Sequence, residues 1–336
     1  MTPSKKRSII IKKEISGIYL KKMKTKALIV SIKGTRLTKL EKDLLAKEKP
    51  WGIILFKRNI KSLDQVKKLT ANIQLYTKNQ KFPIIIDEEG KNVSRLNKII
   101  NHNISANFFG KLYKYNKRFS FNLYKHYIES LSKIFKNSGI NINSIPVLDV
   151  LRTNTSKIIG DRSFSKDKHI VRELGIKSVK YLQKNKISSI IKHIPGHGAT
   201  QTDSHKKMPV VSLSKKKLNE IDFFPFKSSK AKLAMTAHIL YSKIDKKNVA
   251  TFSKKIISDV IRKKLKFKGI LISDDISMKA LKYDLLINAK KSLNAGCNLV
   301  LYCAGKTKDN FKLIKSLPYI DKFTSKKTSE IYKILG

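Results

Sequence analysis

Three histidines, an aspartate and a lysine lie within one short segment, Lys192–His205. Asp203 and His205 are separated by a single residue, so in extended backbone their side chains point to the same side. A carboxylate beside an imidazole fixes its tautomer and raises its basicity, which suits proton transfer near neutral pH. We therefore predict that Asp203 and His205 form a catalytic dyad, and that Lys192 and His193, at a strand end, face a substrate.

A metal site is the competing interpretation of this segment. His193 and His197 are four residues apart, a spacing at which two histidines on a helix bind one metal ion. Pro195, Gly196 and Gly198 oppose a helix here, because proline removes a helical hydrogen bond and glycine costs conformational entropy. We therefore predict a catalytic loop without a metal ion, in preference to a purely structural loop.

A second candidate group ends the apolar run Gly269–Asp274. A carboxylate at the end of a buried strand is costly unless it is paired or used. Asp274 is therefore placed like a nucleophile. Asp275 follows directly and should point elsewhere, and for this residue we favour capping of the helix predicted to begin near Ser277.

Three shorter motifs carry weaker signals. Asp87 ends a strand and Arg95 follows eight residues later, a pair suited either to sugar hydroxyls or to a structural salt bridge. Arg162, in the segment Gly-Asp-Arg-Ser-Phe, is either a substrate clamp or part of a surface ion pair. His238 ends another apolar run and is either a core histidine or a site residue.

These side chains need a framework that brings them together. Eight short runs rich in Ile, Leu and Val alternate with amphipathic stretches, and each has the length of a strand buried on both faces. Ionisable residues repeatedly follow the runs, at positions that a barrel gathers around one mouth. We therefore predict an α/β fold, a single (β/α)8 barrel, in preference to a doubly wound sheet. The runs are Ala27–Ile32, Gly52–Phe56, Phe82–Asp87, Ile142–Asp149, Ser188–His193, Ala234–His238, Gly269–Asp274 and Asn298–Cys303.

The charge of the chain is its most unusual property. Among 336 residues, 73 are Lys or Arg and 24 are Asp or Glu, a formal net charge of +49. Such a charge usually indicates nucleic acid. The excess is mostly lysine spread over the whole chain, however, and Ile and Asn are also abundant, as expected from a bias toward A/T-rich codons. We therefore predict no nucleic-acid partner.

The ends and the cysteines indicate the organisation and compartment. Residues 1–22 are predicted to be a basic extension or a misassigned start, and residues 23–336 the barrel domain. The basic N-terminus lacks the apolar stretch of a signal peptide, and no run reaches the roughly 20 apolar residues that span a bilayer. Cys297 and Cys303 suit buried thiols in a reducing compartment. We expect a cytoplasmic monomer without a membrane span.

Six motifs resemble, in order, those of the β-N-acetylglucosaminidase branch of glycoside hydrolase family 3. The resemblance runs from about Met23 to about Cys303. It implies a single barrel without a cofactor, Asp274 as nucleophile, and His205 as general acid/base assisted by Asp203. The motifs lie at Gly52–Asn59, Asp87–Arg95, Gly160–Phe164, Lys192–His205, Met235–His238 and Gly269–Met278. The residues matching positions that bind N-acetylglucosamine are Asp87, Arg95, Arg162, Lys192 and His193.

The resemblance also implies a substrate. Bacterial single-domain members of this length remove N-acetylglucosamine from anhydro-muropeptides in peptidoglycan recycling, with retained configuration. Three rival functions stay open: a β-glucosidase, a phosphorylase that uses phosphate instead of water, and a non-catalytic protein that binds sugars or nucleic acid. One departure concerns Gly90-Lys91-Asn92, where the family usually has Gly-Gly-Arg. We expect it to disturb a tight turn beside Asp87 and to weaken the hold on the substrate.

Overall fold

The computed structural model describes residues 25–153, 155–201 and 208–336, so the predicted extension 1–22 lies outside the described residues. Eight parallel strands close a barrel in chain order, with the last hydrogen-bonded to the first. The predicted single (β/α)8 barrel and its eight strands are therefore confirmed. The strands are β1 (Lys26–Ser31), β2 (Pro50–Leu55), β3 (Ile84–Ile86), β4 (Ile142–Asn143), β5 (Ser188–Ile194), β6 (Leu233–Thr236), β7 (Ile270–Asp275) and β8 (Leu299–Leu301).

The strands are apolar on both faces because each face meets a different core. In β1, Leu28 and Val30 belong to the cluster that packs against the surrounding helices, whereas Ala27 and Ile29 belong to the cluster inside the barrel. Successive strand residues point to opposite faces, so a strand covered on both sides reads as a continuous apolar run. Burial on both faces explains why each strand is a continuous apolar run in the sequence and not an alternation of apolar and polar residues.

Helices connect successive strands and surround the barrel. The amphipathic stretch before β6 forms only a short helix, Lys215–Glu220, and Pro225 then lies in a separate 3-10 turn, Phe224–Phe226. Two segments, Leu44–Glu48 and Ile256–Lys264, are wound as π-helices. The α-helices are α1 (Lys39–Asp43), α2 (Leu63–Thr77), α3 (Ala106–Tyr115), α4 (Lys117–Asn137), α5 (Lys168–Lys184), α6 (Lys215–Glu220), α7 (Leu285–Ala295), α8 (Thr307–Ser316) and α9 (Lys322–Leu335).

The predicted strand Ile142–Asp149 is wrong in length, since only Ile142–Asn143 is strand. Pro146 lacks an N–H group and cannot continue a regular ladder. The segment still follows β5, because the Leu148 N–H donates to the Lys192 carbonyl at 2.7 Å. The barrel thus carries Asp149 to the same mouth as the end of β5.

Within the described residues, no helix is long and apolar enough to cross a membrane.

Candidate active site

A cavity of about 450 Å³ opens at the C-terminal ends of the barrel strands. It is lined by residues that follow β3 and β4 and by the ends of β5 and β7. All six predicted site residues of the described chain line this cavity: Asp87, Arg95, Arg162, Lys192, His193 and Asp274. The other two, Asp203 and His205, lie outside the described residues, and their roles stay predictions.

Asp87 is held by two cations and a hydroxyl. Its Oδ1 lies 3.1 Å from Lys192 Nζ, and its Oδ2 lies 3.3 Å from Arg95 Nη2. The Ser144 hydroxyl also donates to Oδ1. Burial alone would raise the pKa of Asp87, but Lys192 and Arg95 outweigh it, so the net pKa is well below its usual value. Asp87 is therefore an ionised hydrogen-bond acceptor in the lining of the cavity.

Glu89 is a site residue that the sequence reasoning missed. The Arg162 guanidinium donates to both of its carboxylate oxygens, Nε to Oε2 at 2.6 Å and Nη2 to Oε1 at 2.9 Å. Lys192 Nζ lies 2.5 Å from Oε1. Burial opposes the charge of Glu89, yet Arg162 and Lys192 lower its pKa to about 2. Glu89 thus fixes both predicted binding cations, and its place after β3 beside Asp87 was the available signal.

Asp149 is the second such residue, and it anchors His193. Its Oδ2 accepts from His193 Nδ1 at 2.7 Å, and its Oδ1 accepts from the His197 backbone N–H at 2.6 Å. A carboxylate on Nδ1 leaves Nε2 as the acceptor of the neutral ring. The structure therefore orients His193 with Nε2 available to a ligand in the cavity.

Asp274 and Asp275 make different contacts, but the helix predicted to begin near Ser277 is wrong, since the next helix begins at Leu285 with Asp284 as its N-cap. Burial opposes ionisation of Asp274, but His238, His193, the Asp275 N–H and Lys192 together lower its pKa below the usual value. Asp275 instead accepts from the backbone N–H groups of Ser277 at 3.1 Å and Cys303 at 3.2 Å. Asp275 caps the turn after β7, whereas Asp274 presents an ionised carboxylate to the cavity.

The Gly90-Lys91-Asn92 turn forms without a second glycine. Gly90 has φ +119°, while Lys91 is absent from the residues with positive φ, so only Gly90 occupies a conformation that favours glycine. The Asn92 amide donates to Asp161 on the neighbouring loop, and Asn92 lines the cavity. The expected disturbance of the turn is therefore wrong, because the position that needs glycine has kept it.

Two further predictions concern histidine and cysteine. His238 is 1% exposed and does not line the cavity, so it is a buried residue behind the site. Cys297 and Cys303 are both free thiols. Cys297 is buried as expected, but Cys303 is partly exposed and lines the cavity, because the chain after β8 turns over the barrel mouth. Among the described residues, no group of three or more His, Cys, Asp or Glu is placed to hold a metal ion.

The cavity combines the ionised Asp274 carboxylate with a network of paired charges. Asp274 is ionised, while ion pairs and hydrogen bonds fix the side chains of Asp87, Arg162 and Lys192. This arrangement suits attack on the anomeric carbon of a sugar. The family model of the glycosyl hydrolase family 3 N-terminal domain matches residues 20–329. The chain belongs to glycoside hydrolase family 3.

Relatives within family 3 agree on the activity class. The β-hexosaminidase of Nitrosomonas eutropha is 33% identical over 281 residues, covering 82% of this chain and 80% of the relative. The β-hexosaminidase of Haemophilus influenzae strain PittEE is 31% identical over 303 residues, covering 87% and 85%. This family 3 chain is thus a glycoside hydrolase of the β-N-acetylhexosaminidase type, as its motifs implied.

A solved structure agrees on the fold over nearly the whole chain. NagZ from Neisseria gonorrhoeae, in complex with N-trifluoroacetyl-D-glucosamine, has a TM-score of 0.83 and 28% identity. The match covers 92% of this chain and 90% of NagZ.

Proposed function

We propose that this family 3 enzyme is a retaining β-N-acetylhexosaminidase that removes terminal β-linked N-acetylglucosamine. The observation that carries the proposal is the ionised Asp274 in the same cavity as Asp87, Arg162 and Lys192. The β-hexosaminidase relatives support it, as does the N-trifluoroacetyl-D-glucosamine bound by the gonococcal NagZ.

The proposed reaction has two steps. The Asp274 carboxylate attacks the anomeric carbon while His205, assisted by Asp203, protonates the leaving oxygen. Water then cleaves the glycosyl-enzyme with His205 as the base, so the anomeric configuration is retained. The sugar ring is held by the network of Asp87, Lys192 and Glu89. The charges of this network are already paired, so they need no rearrangement when the substrate binds.

The natural substrate class is also proposed. Muropeptides that carry a terminal N-acetylglucosamine fit the family branch, and their processing in peptidoglycan recycling would place the enzyme in the cytoplasm. Peptide carboxylates of such fragments would be attracted by a chain with a net charge of +49.

Turnover of an aryl β-N-acetylglucosaminide tests the proposal, with Asp274→Asn and Asp275→Asn compared. We expect Asp274→Asn to lower kcat by about 1,000-fold or more, because asparagine removes the carboxylate that is proposed to form the glycosyl-enzyme. Asp275→Asn should stay within about tenfold of the wild-type kcat, since an amide oxygen still accepts from the Ser277 N–H. Equal losses in both variants, or no turnover by the wild-type enzyme, would contradict the proposed nucleophile.

The products separate the rival chemistries. Proton NMR of the first product should show the β-anomer, and the α-anomer first would exclude a retaining mechanism. Release of a sugar 1-phosphate in phosphate buffer would identify a phosphorylase. Turnover of an aryl β-glucoside in preference to the N-acetylglucosaminide would identify a β-glucosidase.

A further inference from the structure

We propose that His238 is a positioning residue for Asp274, acting as the neutral Nε2–H tautomer at the end of a directed chain of hydrogen bonds. The inference rests on the proposed role of Asp274 as nucleophile. His238 follows β6 and does not line the cavity, so it acts through the backbone of Asp275 and not on the substrate.

The chain of hydrogen bonds joins three segments of the barrel. Thr236 Oγ1 lies 2.8 Å from Thr251 Oγ1, and Thr251 Oγ1 lies 2.7 Å from His238 Nδ1. His238 Nε2 lies 3.0 Å from the Asp275 carbonyl oxygen. Thr236, Thr251 and His238 are all buried, so water does not compete for the two bonds that join these three residues.

The direction of each bond follows from its partner. A carbonyl oxygen can only accept, so Nε2 of His238 must carry the proton. In a neutral ring Nδ1 is then an acceptor, and the Thr251 hydroxyl donates to it. Since that hydroxyl has one proton, the Thr236 hydroxyl donates to Thr251 Oγ1. The alternative acceptor for Thr251, the Ala237 carbonyl, is farther away at 3.2 Å.

The chain of hydrogen bonds reaches Asp274 through the backbone of Asp275. The Asp275 backbone N–H donates to Asp274 Oδ1 at 2.8 Å, and the Asp275 carbonyl accepts from His238. His238 therefore fixes the carbonyl group of Asp275, and the backbone N–H of the same residue orients the Asp274 carboxylate. Loss of the Nε2 donor would leave that carbonyl buried without this partner and would free the β7 end to rotate.

A neutral ring also suits the nucleophile electrostatically. Burial lowers the pKa of His238 and outweighs the opposing effect of Asp274 and Asp275. A cationic ring behind Asp274 would stabilise the carboxylate in its free form and make it a poorer nucleophile. Because the pKa of His238 lies below its ordinary value of 6.5, the ring carries a charge only at acid pH, where it contributes to the lowered pKa of Asp274. Near neutral pH the ring is neutral and supplies orientation without that cost.

Kinetics of His238→Leu and His238→Gln test the inference. Leucine removes the donor, whereas the glutamine amide can place an N–H near the position of Nε2. We expect His238→Leu to lower kcat on the aryl substrate by about 10–100-fold with KM within about twofold. His238→Gln should recover most of the loss. A kcat of His238→Leu equal to that of the wild type, or no recovery with glutamine, would overturn the inference.

A second pair of variants keeps the test valid if His238→Leu does not fold. Thr251→Val is nearly isosteric but removes the hydroxyl that donates to Nδ1, whereas Thr251→Ser retains it. We expect the valine variant to lower kcat several-fold and to move the acid limb of the kcat profile, with the serine variant close to wild type. Equal kinetics in both would overturn the role of Thr251 and with it the directed chain.

NMR of the histidine ring nitrogens provides a measurement independent of turnover. We expect His238 to show the Nε2–H tautomer between about pH 6 and 8, and an Nδ1–H or doubly protonated ring would overturn the inference. Absence of wild-type turnover would overturn the proposed function and this inference together. Normal wild-type turnover with unaffected His238 and Thr251 variants would overturn the inference alone.

Discussion

Lys192 Nζ lies 2.5 Å from Glu89 Oε1, although the two residues are more than 100 positions apart in the chain. The same ammonium group also contacts Asp87, so one lysine from β5 joins two carboxylates that follow β3. The lysine side chain is 3% exposed and that of Glu89 is 4% exposed. This buried contact organises one wall of the cavity.

Glu89→Gln should destabilise the enzyme and weaken substrate binding. Removing Glu89 leaves the buried Arg162 guanidinium without its carboxylate partner and Lys192 with Asp87 alone, at a cost of about 3 kcal/mol in the free energy of unfolding. Because the pKa of Glu89 is lowered to about 2, this stabilisation is fully present above the ordinary pKa of 4.5 and is lost as the pH falls toward 2. Urea unfolding at neutral and acid pH, together with KM, measures both effects.

The matched control is Glu330→Gln on the surface. Glu330 also contacts two lysines, Lys232 at 2.8 Å and Lys327 at 2.6 Å. Its environment is hydrated, so its loss should cost less than about 1 kcal/mol and leave KM unchanged. Equal destabilisation by the two variants would show that burial of the Glu89 network does not increase the free energy of unfolding.

Gly90→Ala should be far more damaging than Lys91→Ala. Gly90 has φ +119°, and a Cβ there would lie 2.2 Å from the Ile104 carbonyl oxygen. The added methyl group must displace backbone, and we expect a loss of about 3 kcal/mol in the free energy of unfolding. Lys91 is exposed and has no such constraint, so its alanine variant should stay within about 0.5 kcal/mol. Thermal unfolding of both variants decides, and tolerance of alanine at position 90 would contradict the constrained turn.

The stability of the enzyme should fall below about pH 6.5, partly because of His197. Burial lowers the pKa of His197 to about 4, outweighing the opposing effect of Asp149. The folded state therefore holds this ring neutral, and the stabilisation is complete above the unfolded pKa of 6.5 and is lost as the pH falls toward 4. The full loss is about 3 kcal/mol from this residue. Urea unfolding from about pH 7 to about pH 4 measures it, with His197→Gln as the comparison. An unchanged pH dependence in the variant would contradict the assignment.

The sequence by itself determined the barrel and much of the site. Eight runs buried on both faces predicted eight strands, because a parallel barrel covers each strand with core on both sides. Ionisable residues at the ends of those runs predicted a shared mouth, and Asp87, Lys192, His193 and Asp274 do meet there. The end of each strand can be recognised from the local sequence, and closure of the barrel then brings these strand ends close together in space.

Only the tertiary structure decided which charges pair. Glu88 and Glu89 are adjacent in the sequence, yet Glu88 accepts the backbone N–H groups of Arg95 and Leu96, while Glu89 binds the Arg162 guanidinium. Likewise, Asp149 meets His193 only because the irregular segment after β4 runs beside β5. Neighbouring residues in extended backbone point in opposite directions, and their partners lie tens of residues away, so closure of the barrel selects each pair.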